Sequence, residues 1–251
     1  MTSWRILVLA LVSLNGSLFS QAIRRPLFPS GPVTLDSHNL YASGTLSSCA
    51  AGATSCQITT TFNIPHTGDA VIVSVSTCFN TLCALALSGT PQLSDGGTNT
   101  YTLQSAASYQ GTLFIFNFTS CNSIAGTYTL TFSTTTSLPN YYTLAHASTW
   151  VGANASSCVD TAVSNNTTAT STALSLTSAG NVSSVGEAVE VDYNISAASM
   201  THTGPYTLMD NVGGNQGYYY LLNPTVGATT TDTATGSSSA SWFMTMIGLK
   251  P

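Results

Sequence analysis

Hydrophobic and polar residues alternate along much of this chain, and the alternation is clearest over residues 111–133. The apolar positions are Phe114, Phe116 and Phe118 in a first run and Tyr128, Leu130 and Phe132 in a second. A period of two is typical of a β-strand that buries one face. The pattern predicts two neighbouring strands whose aromatic side chains face a core and whose Asn117 and threonines face outward.

Similar runs recur at the spacing typical of a β-sandwich, with turn-forming Gly, Asn, Asp and Pro between them. The predicted strands are 33–46, 57–63, 70–77, 82–87, 98–107, 111–119, 127–134, 141–151, 170–177, 188–195, 206–209, 217–222, 229–234 and 240–249. A short helix is possible over residues 158–165, where no strand is predicted. The sequence therefore predicts an all-β fold, an antiparallel β-sandwich of the jelly-roll or immunoglobulin-like kind with about 12–14 strands.

The first residues have the composition of a secretory signal peptide. Arg5 precedes a short apolar run, and small residues at 20–22 suit cleavage. We therefore predict that residues 1–22 are a signal peptide and that the mature chain is exported to the cell surface or the medium. The apolar run is too short to span a bilayer, so we expect no membrane insertion of the mature chain. Residues 23–46 follow as a proline-containing arm and a first strand, and residues 47–251 form the sandwich domain.

Charge is scarce and one-sided. Charged residues are 5% of the chain, and from Pro26 onward Lys250 is the single base beside nine acids. A nucleic-acid-binding surface needs clustered lysine and arginine, so nucleic acid is excluded as an expected partner.

An even number of cysteines behind a signal peptide predicts disulfides. The six are Cys49, Cys56, Cys78, Cys83, Cys121 and Cys158. Spacing favours Cys49–Cys56, Cys78–Cys83 and Cys121–Cys158, although six cysteines allow fifteen pairings. The close CxxC pairs of a zinc site are absent from the sequence, so the expected role is stability.

Six Asn-X-Ser/Thr patterns in the mature chain are candidate glycosylation sites. They begin at Asn117, Asn154, Asn165, Asn166, Asn181 and Asn194. Asn117 and Asn194 fall on the polar side of their predicted strands, which favours covalent glycans at exposed positions.

The sequence offers weak candidates for chemistry and contains neither a G-x-S-x-G nor an H-E-x-x-H motif. Glu190 and Asp192 share a strand face and could form a glycosidase-like pair, but solvated acids on an exposed sheet are the favoured interpretation. Loops at Asp95 and Asp210 could bind calcium, and Tyr218 to Tyr220 could stack on sugars. We predict no catalytic residue, no metal and no cofactor.

The order of several segments resembles that of secreted, Ser/Thr-rich β-sandwich surface proteins. The matching segments are 68–75, 93–103, 126–133 and 241–249. Such domains are similar to pilus-like subunits of extracellular fibres, in which one subunit's strand completes the next subunit's sandwich. The resemblance implies a structural, non-enzymatic protein whose partner is another copy of itself.

The expected function is therefore that of a subunit of a glycosylated extracellular filament, polymerised head to tail by an N-terminal strand. The apolar residues that would enter the neighbour are Val33, Leu35, Leu40 and Tyr41. In the alternative, this strand belongs to its own domain, and the protein is a monomeric carbohydrate-binding or adhesion module.

Overall fold

The computed structural model describes residues 31–43, 53–78, 90–109, 113–138, 143–160, 164–195, 199–212, 214 and 216–251. Fourteen strands lie in this part of the chain: β1 (Thr34–Ser43), β2 (Ala53–Ile64), β3 (Ala70–Cys78), β4 (Gln92–Ser94), β5 (Thr102–Tyr109), β6 (Leu113–Ser120), β7 (Gly126–Leu138), β8 (Thr143–Val151), β9 (Ser164–Thr177), β10 (Ala188–Ile195), β11 (Met200–His202), β12 (Thr207–Val212), β13 (Gln216–Leu222) and β14 (Thr231–Leu249). None of the described residues is helical, so none forms a helix that could cross a bilayer. The predicted signal peptide and the strand at 82–87 lie outside the described residues.

The strands form three antiparallel sheets. Sheet A has the order β1-β8-β3-β6-β5, and sheet B has the order β2-β7-β4. Sheet C has the order β11-β14-β10-β13-β12, with β9 also paired to β14. The predicted all-β, antiparallel, sandwich-like fold is confirmed.

Sheet A is the middle layer, and its two faces differ in chemistry. Toward sheet B, Val73 and Phe116 pack with Leu130 and Phe132 in a hydrophobic core. Toward sheet C, Ile72, Trp150 and Leu249 contribute to another apolar core at one end, and polar side chains fill the space beside it. The aromatic alternation in β6 thus predicted correctly which face of the strand enters the apolar core.

Sheet C encloses a further core on its other side. Leu174 of β9, Val191 of β10 and Met244 of β14 pack there, together with Tyr193 and Trp242. The long strand β14 brings these residues together. Its first part pairs with the end of β9, and its second part pairs with the start of β9 on one side and with β10 on the other.

A disulfide joins two connecting segments of the sandwich. Cys121 follows β6 and Cys158 precedes β9, and their Cα atoms are 5.5 Å apart. The predicted Cys121–Cys158 pairing is confirmed. The pairings Cys49–Cys56 and Cys78–Cys83 stay predictions, since they depend on side chains outside the described part of the structure.

Candidate functional site: a histidine–carboxylate cluster between two sheets

Two rows of polar side chains face each other where sheets A and C pack. In sheet A, Ser74 pairs in register with Asn117 on one side and with His146 on the other. In sheet C, Asp192 likewise pairs with Thr245 and Tyr218. Each row crosses three adjacent strands, so strand pairing alone brings these residues together.

Direct contacts join the two rows. Asn117 Nδ2 donates to Thr245 Oγ1 at 2.6 Å, and Ser74 Oγ donates to Asp192 Oδ2. The rings of His146 and Tyr218 stack with their centroids 4.0 Å apart and their planes 13° from parallel. The interface is therefore a specific polar network.

Glu190 and Asp192 lie inside this network, and the interpretation of them as solvated acids is wrong. Their exposed fractions are 2% and 0%. The physical reason is that β10 lies between β13 and β14 in sheet C, with one face against the core of sheet C and the other against sheet A. A polysaccharide cannot reach two carboxylates that are covered in this way.

Serine hydroxyls hold one oxygen of each of these carboxylates. Ser148 Oγ donates to Glu190 Oε2 at 2.5 Å and itself accepts a bond of 2.8 Å from Trp150 Nε1. Ser74 Oγ donates in the same way to Asp192 Oδ2. Both carboxylates are thus fixed in orientation by sheet A.

Two histidines extend the network toward the surface through Asp210. His146 Nε2 lies 3.1 Å and His38 Nδ1 lies 2.7 Å from Asp210 Oδ2. The sequence offered a loop at Asp210 as a possible calcium ligand, but Asp210 lies within β12 and its carboxylate pairs with these histidines. The sequence could not reveal this, because His38 and Asp210 are 172 positions apart.

Burial and neighbouring charges shift the pKa values of His146, Asp192 and Asp210. Burial alone lowers the pKa of His146, but the hydrogen bond to Asp210 and the adjacent Glu190 and Asp192 outweigh burial and raise this pKa to about 9. Burial, and then the charge of Glu190, raises the pKa of Asp192. The hydrogen bond with His146 lowers the pKa of Asp210, although burial opposes it. The cluster therefore needs positive charge, from protons or from another cation.

Three groups of described side chains bring possible metal-ligand atoms within 4.8 Å of one another. They are His146 with Glu190 and Asp192, His38 with His146 and Asp210, and Asp36 with His66 and Asp69. The first group is fully buried, whereas the other two include exposed or half-buried residues.

The loop at Asp95, the other possible calcium site in the sequence, is held by its own hydrogen bonds. Asp95 Oδ1 accepts from the backbone N–H groups of Thr98 and Asn99, at 3.0 and 3.1 Å. Asp95 Oδ2 accepts from Asn99 Nδ2 at 2.5 Å. The carboxylate therefore shapes its turn.

Tyrosines 218–220 do not form an exposed platform for sugars. Tyr218 is 0% and Tyr219 is 6% exposed, because both faces of β13 are packed. Tyr219 stacks on His202, with ring centroids 4.1 Å apart. Tyr220 is half-buried and contacts Trp150 edge to face.

The candidate glycosylation sites occupy different environments. Asn117 is 1% exposed and its amide is bonded to Thr245, so its predicted outward orientation is wrong and the folded chain leaves no room for a sugar there. Asn154 and Asn181 are exposed, and Asn194 is half-buried with its Nδ2 donating to Gln216. Asn165 and Asn166 lie in β9, where the side chains are not among those described.

The N-terminal strand β1 lies at the edge of sheet A, paired with β8 of its own chain. Val33 is 1% exposed, and Leu35 and Leu40 pack against the core at the end of sheets A and C. Tyr41 packs against the core between sheets A and B. In the single chain these four residues thus pack against the cores of their own domain, as the alternative interpretation expected.

A described surface pocket, bounded by Pro205, Leu221 and Pro224, contains no residue of the cluster. No protein-family model, curated protein or solved structure matches the chain. The fold, the edge strand β1 and the buried cluster are therefore the observations from which function is inferred.

Proposed function

We propose that this protein is a structural subunit of an extracellular filament, in which β1 of each subunit replaces β1 in the next. The observation that carries the proposal is the position of β1. It is a terminal strand of sheet A, its backbone pairs with β8 alone among the strands of the described structure, and it follows directly on the N-terminal arm.

Removal of β1 would open a groove with a defined shape and chemistry. The groove is lined by β8, whose Leu144 and Trp150 are completely buried in the intact fold. Its far end offers the carbonyl of Gly186, which accepts from the Val33 N–H at 2.7 Å. The same segment of another copy fits this groove by construction, since it carries the same side chains at the same register.

Exchange of an identical element between protomers needs no new complementary surface. The neighbour's strand supplies the same main-chain hydrogen bonds and the same apolar packing that a subunit's own β1 would have supplied. Because each subunit donates from one place and accepts at another, the contact is head to tail and propagates without closing.

Other features support this proposal. The predicted signal peptide and disulfides suit an extracellular location, and exposed sequons such as Asn154 suit a glycosylated surface. The competing sugar-binding role depended on tyrosines that are buried or half-buried, and the hydrolase role depended on carboxylates that no polysaccharide reaches.

A disulfide trap across β1 and β8 tests the proposal. Ser37 Oγ and Thr149 Oγ1 lie 2.8 Å apart, so Ser37→Cys and Thr149→Cys place two sulfurs within bonding reach. Each single variant is made in the mature chain, and the two are mixed under assembly conditions and then oxidised. Strand exchange predicts a covalent dimer of the two variants on a non-reducing gel, which returns to monomer on reduction.

The double variant provides the matched control. Oxidised before assembly, it should stay monomeric on the gel and fail to form filaments in negative-stain electron microscopy, because its β1 is locked in place. Oxidised after assembly, it should give a ladder of multimers. Filaments that yield only monomer after oxidation would disprove strand exchange. A chain that stays monomeric under every assembly condition would disprove the filament.

A further inference from the structure

The cluster between sheets A and C places acids in the interior with few cations to balance them. Glu190 and Asp192 are buried and Asp210 is half-buried, and the basic groups in contact with these carboxylates are His38 and His146. Lys250 is the single lysine or arginine after Arg25. A buried carboxylate without a cationic partner is strongly destabilising, so the source of positive charge matters for folding.

Three atoms in this cluster have no hydrogen-bond partner among the described residues. They are His146 Nδ1, Glu190 Oε1 and Asp192 Oδ1. Their side chains are 0%, 2% and 0% exposed. Buried polar atoms are almost always satisfied in folded proteins, so three unsatisfied atoms in one place point to a missing partner.

The other polar atom of each of these three side chains is already held. Asp210 bonds His146 Nε2, Ser148 bonds Glu190 Oε2, and Ser74 bonds Asp192 Oδ2. The second atom of each side chain is thereby oriented and left available. Histidines and carboxylates that bind metals are positioned by outer hydrogen bonds of this kind.

The position of His146 Nδ1 also indicates a bound cation. An Nε2–H group that donates to Asp210 leaves a lone pair on Nδ1 of the neutral ring. The Nδ1 atom is 3.6 Å from Glu190 Oε1, also an acceptor. Two acceptors brought this close need a positive charge between them, and a metal ion can take the place of the proton that Nδ1 carries when His146 is charged.

We propose that His146 Nδ1, Glu190 Oε1 and Asp192 Oδ1 bind one divalent transition-metal ion, of the Zn²⁺ or Mn²⁺ class. Two ligand atoms each about 2.1 Å from a tetrahedral ion are about 3.4 Å apart, close to the 3.6 Å between His146 Nδ1 and Glu190 Oε1. The three residues offer ligand atoms within 4.8 Å of one another.

The ligand set selects the class of ion. Imidazole nitrogen is a common ligand of zinc and other transition metals, whereas calcium and magnesium prefer oxygen alone.

The overlapping group of His38, His146 and Asp210 is a weaker candidate. Its atoms already contact one another directly, at 2.7 and 3.1 Å. An ion bound there would have to break the hydrogen bonds that already join His38 and His146 to Asp210. We therefore assign Asp210 the role of orienting His146 and not that of a ligand.

The ion would be structural and would enter during folding, since its ligands come from both sheets and are covered once the sheets pack. Binding then contributes directly to folding stability. This inference does not depend on filament formation and holds equally for a monomer.

The test is refolding with defined metals. The mature chain is unfolded in denaturant with a chelator, freed of the chelator, and refolded with Zn²⁺, with Mn²⁺ or with no metal. After removal of unbound ion, we expect about one ion per chain by mass spectrometry of the metal content and a higher midpoint of thermal unfolding than for the metal-free preparation. Less than about one tenth of an ion per chain with both metals would overturn the proposal.

Substitutions locate the ion. Glu190→Gln and Asp192→Asn keep the side-chain shapes and should each weaken binding at least tenfold. Asp232→Asn is the matched control, because Asp232 is also fully buried in sheet C but bonds His202, outside the trio. Equal loss of metal in all three variants would place the ion elsewhere and contradict the assignment.

A variant that fails to fold would also lose metal, so one measurement uses the unaltered protein. X-ray absorption at the metal edge should show a histidine nitrogen and oxygen ligands at about 2.0–2.2 Å. Sulfur at about 2.3 Å would mean a cysteine site and would overturn the proposal.

Discussion

At the scale of single residues, alternation predicts which side chains share a face but not what covers that face. Phe116 and Asn117 illustrate the difference. The sequence correctly placed Phe116 in a core, and it placed Asn117 on the opposite face. That opposite face packs against Thr245, which is 128 positions away. Polarity alone cannot distinguish a residue facing water from one facing a second polar row.

Glu187 shows how burial of a single acid should affect stability. It is 0% exposed, and its Oε1 accepts from the N–H groups of Ser183 and Ser184 at 2.9 and 2.5 Å. Burial, and then a hydrogen bond with Asp160, raises the pKa of Glu187 above its usual value. The folded state therefore holds this proton more tightly than the unfolded chain does.

We predict that Glu187→Gln removes part of the pH dependence of unfolding. A raised carboxyl pKa contributes stability below the unfolded value of about 4.3, and that contribution is lost as pH rises through the folded value. Glutamine keeps an oxygen acceptor and stays neutral. Denaturant unfolding from pH 4 to pH 8 should show similar stability of variant and wild type at the acid end and an advantage for the variant at the alkaline end. Parallel curves would contradict this.

At the scale of elements, the sequence predicted the strands that have a long alternating run. It did not predict the short strands that form only because a neighbouring strand pairs with them. The sequence indicated strands at 229–234 and 240–249, because residues 236–239 lack alternation. The structure has one strand there, β14, whose register with β9 shifts between Thr235 and Ala240. The three-residue strands β4 and β11 are too short to carry a period and form because β7 and β14 pair with them.

The Cys121–Cys158 bridge connects elements of sheets A and C. Cys121 follows β6 of sheet A. The carbonyl of Cys158 accepts from the Lys250 N–H at 2.8 Å, and its neighbour Val159 bridges to Leu249 of sheet C. The bridge therefore fastens one end of the interface that contains the cluster.

We predict that Cys121→Ser combined with Cys158→Ser destabilises the fold by about 2–4 kcal/mol. The bridge spans 37 positions, and closing a loop of that length in the unfolded chain removes entropy worth about 4 kcal/mol. Equilibrium unfolding in guanidinium measures the loss, with the wild-type protein kept oxidised. A change below about 1 kcal/mol would show that the unfolded chain gains little freedom when the bridge is absent.

At the scale of the whole molecule, the class of fold was predictable and the arrangement of layers was not. Period-two alternation with frequent turn residues is enough to indicate antiparallel sheets. The division into sheets A, B and C depends on which strands pair across long stretches of sequence, and alternation carries no information about that. The cluster was missed for the same reason, since β1, β8, β10 and β12 each contribute one or two of its residues.

The burial of acids has a consequence for how the protein behaves as a colloid. All nine acidic residues lie in the described part of the chain, and seven of them are buried. In the part of the chain that the structure describes, Asp36, Asp210 and Lys250 are therefore the only lysine, arginine or acidic side chains that are not buried. Raising the ionic strength from about 0.01 M to about 1 M shortens the Debye length from about 30 Å to about 3 Å. Light scattering across that range should show less than a twofold change in the association of folded subunits, since there is little surface charge to screen. If the chain assembles as proposed, its subunits should keep the same affinity for one another in fresh water and in brine.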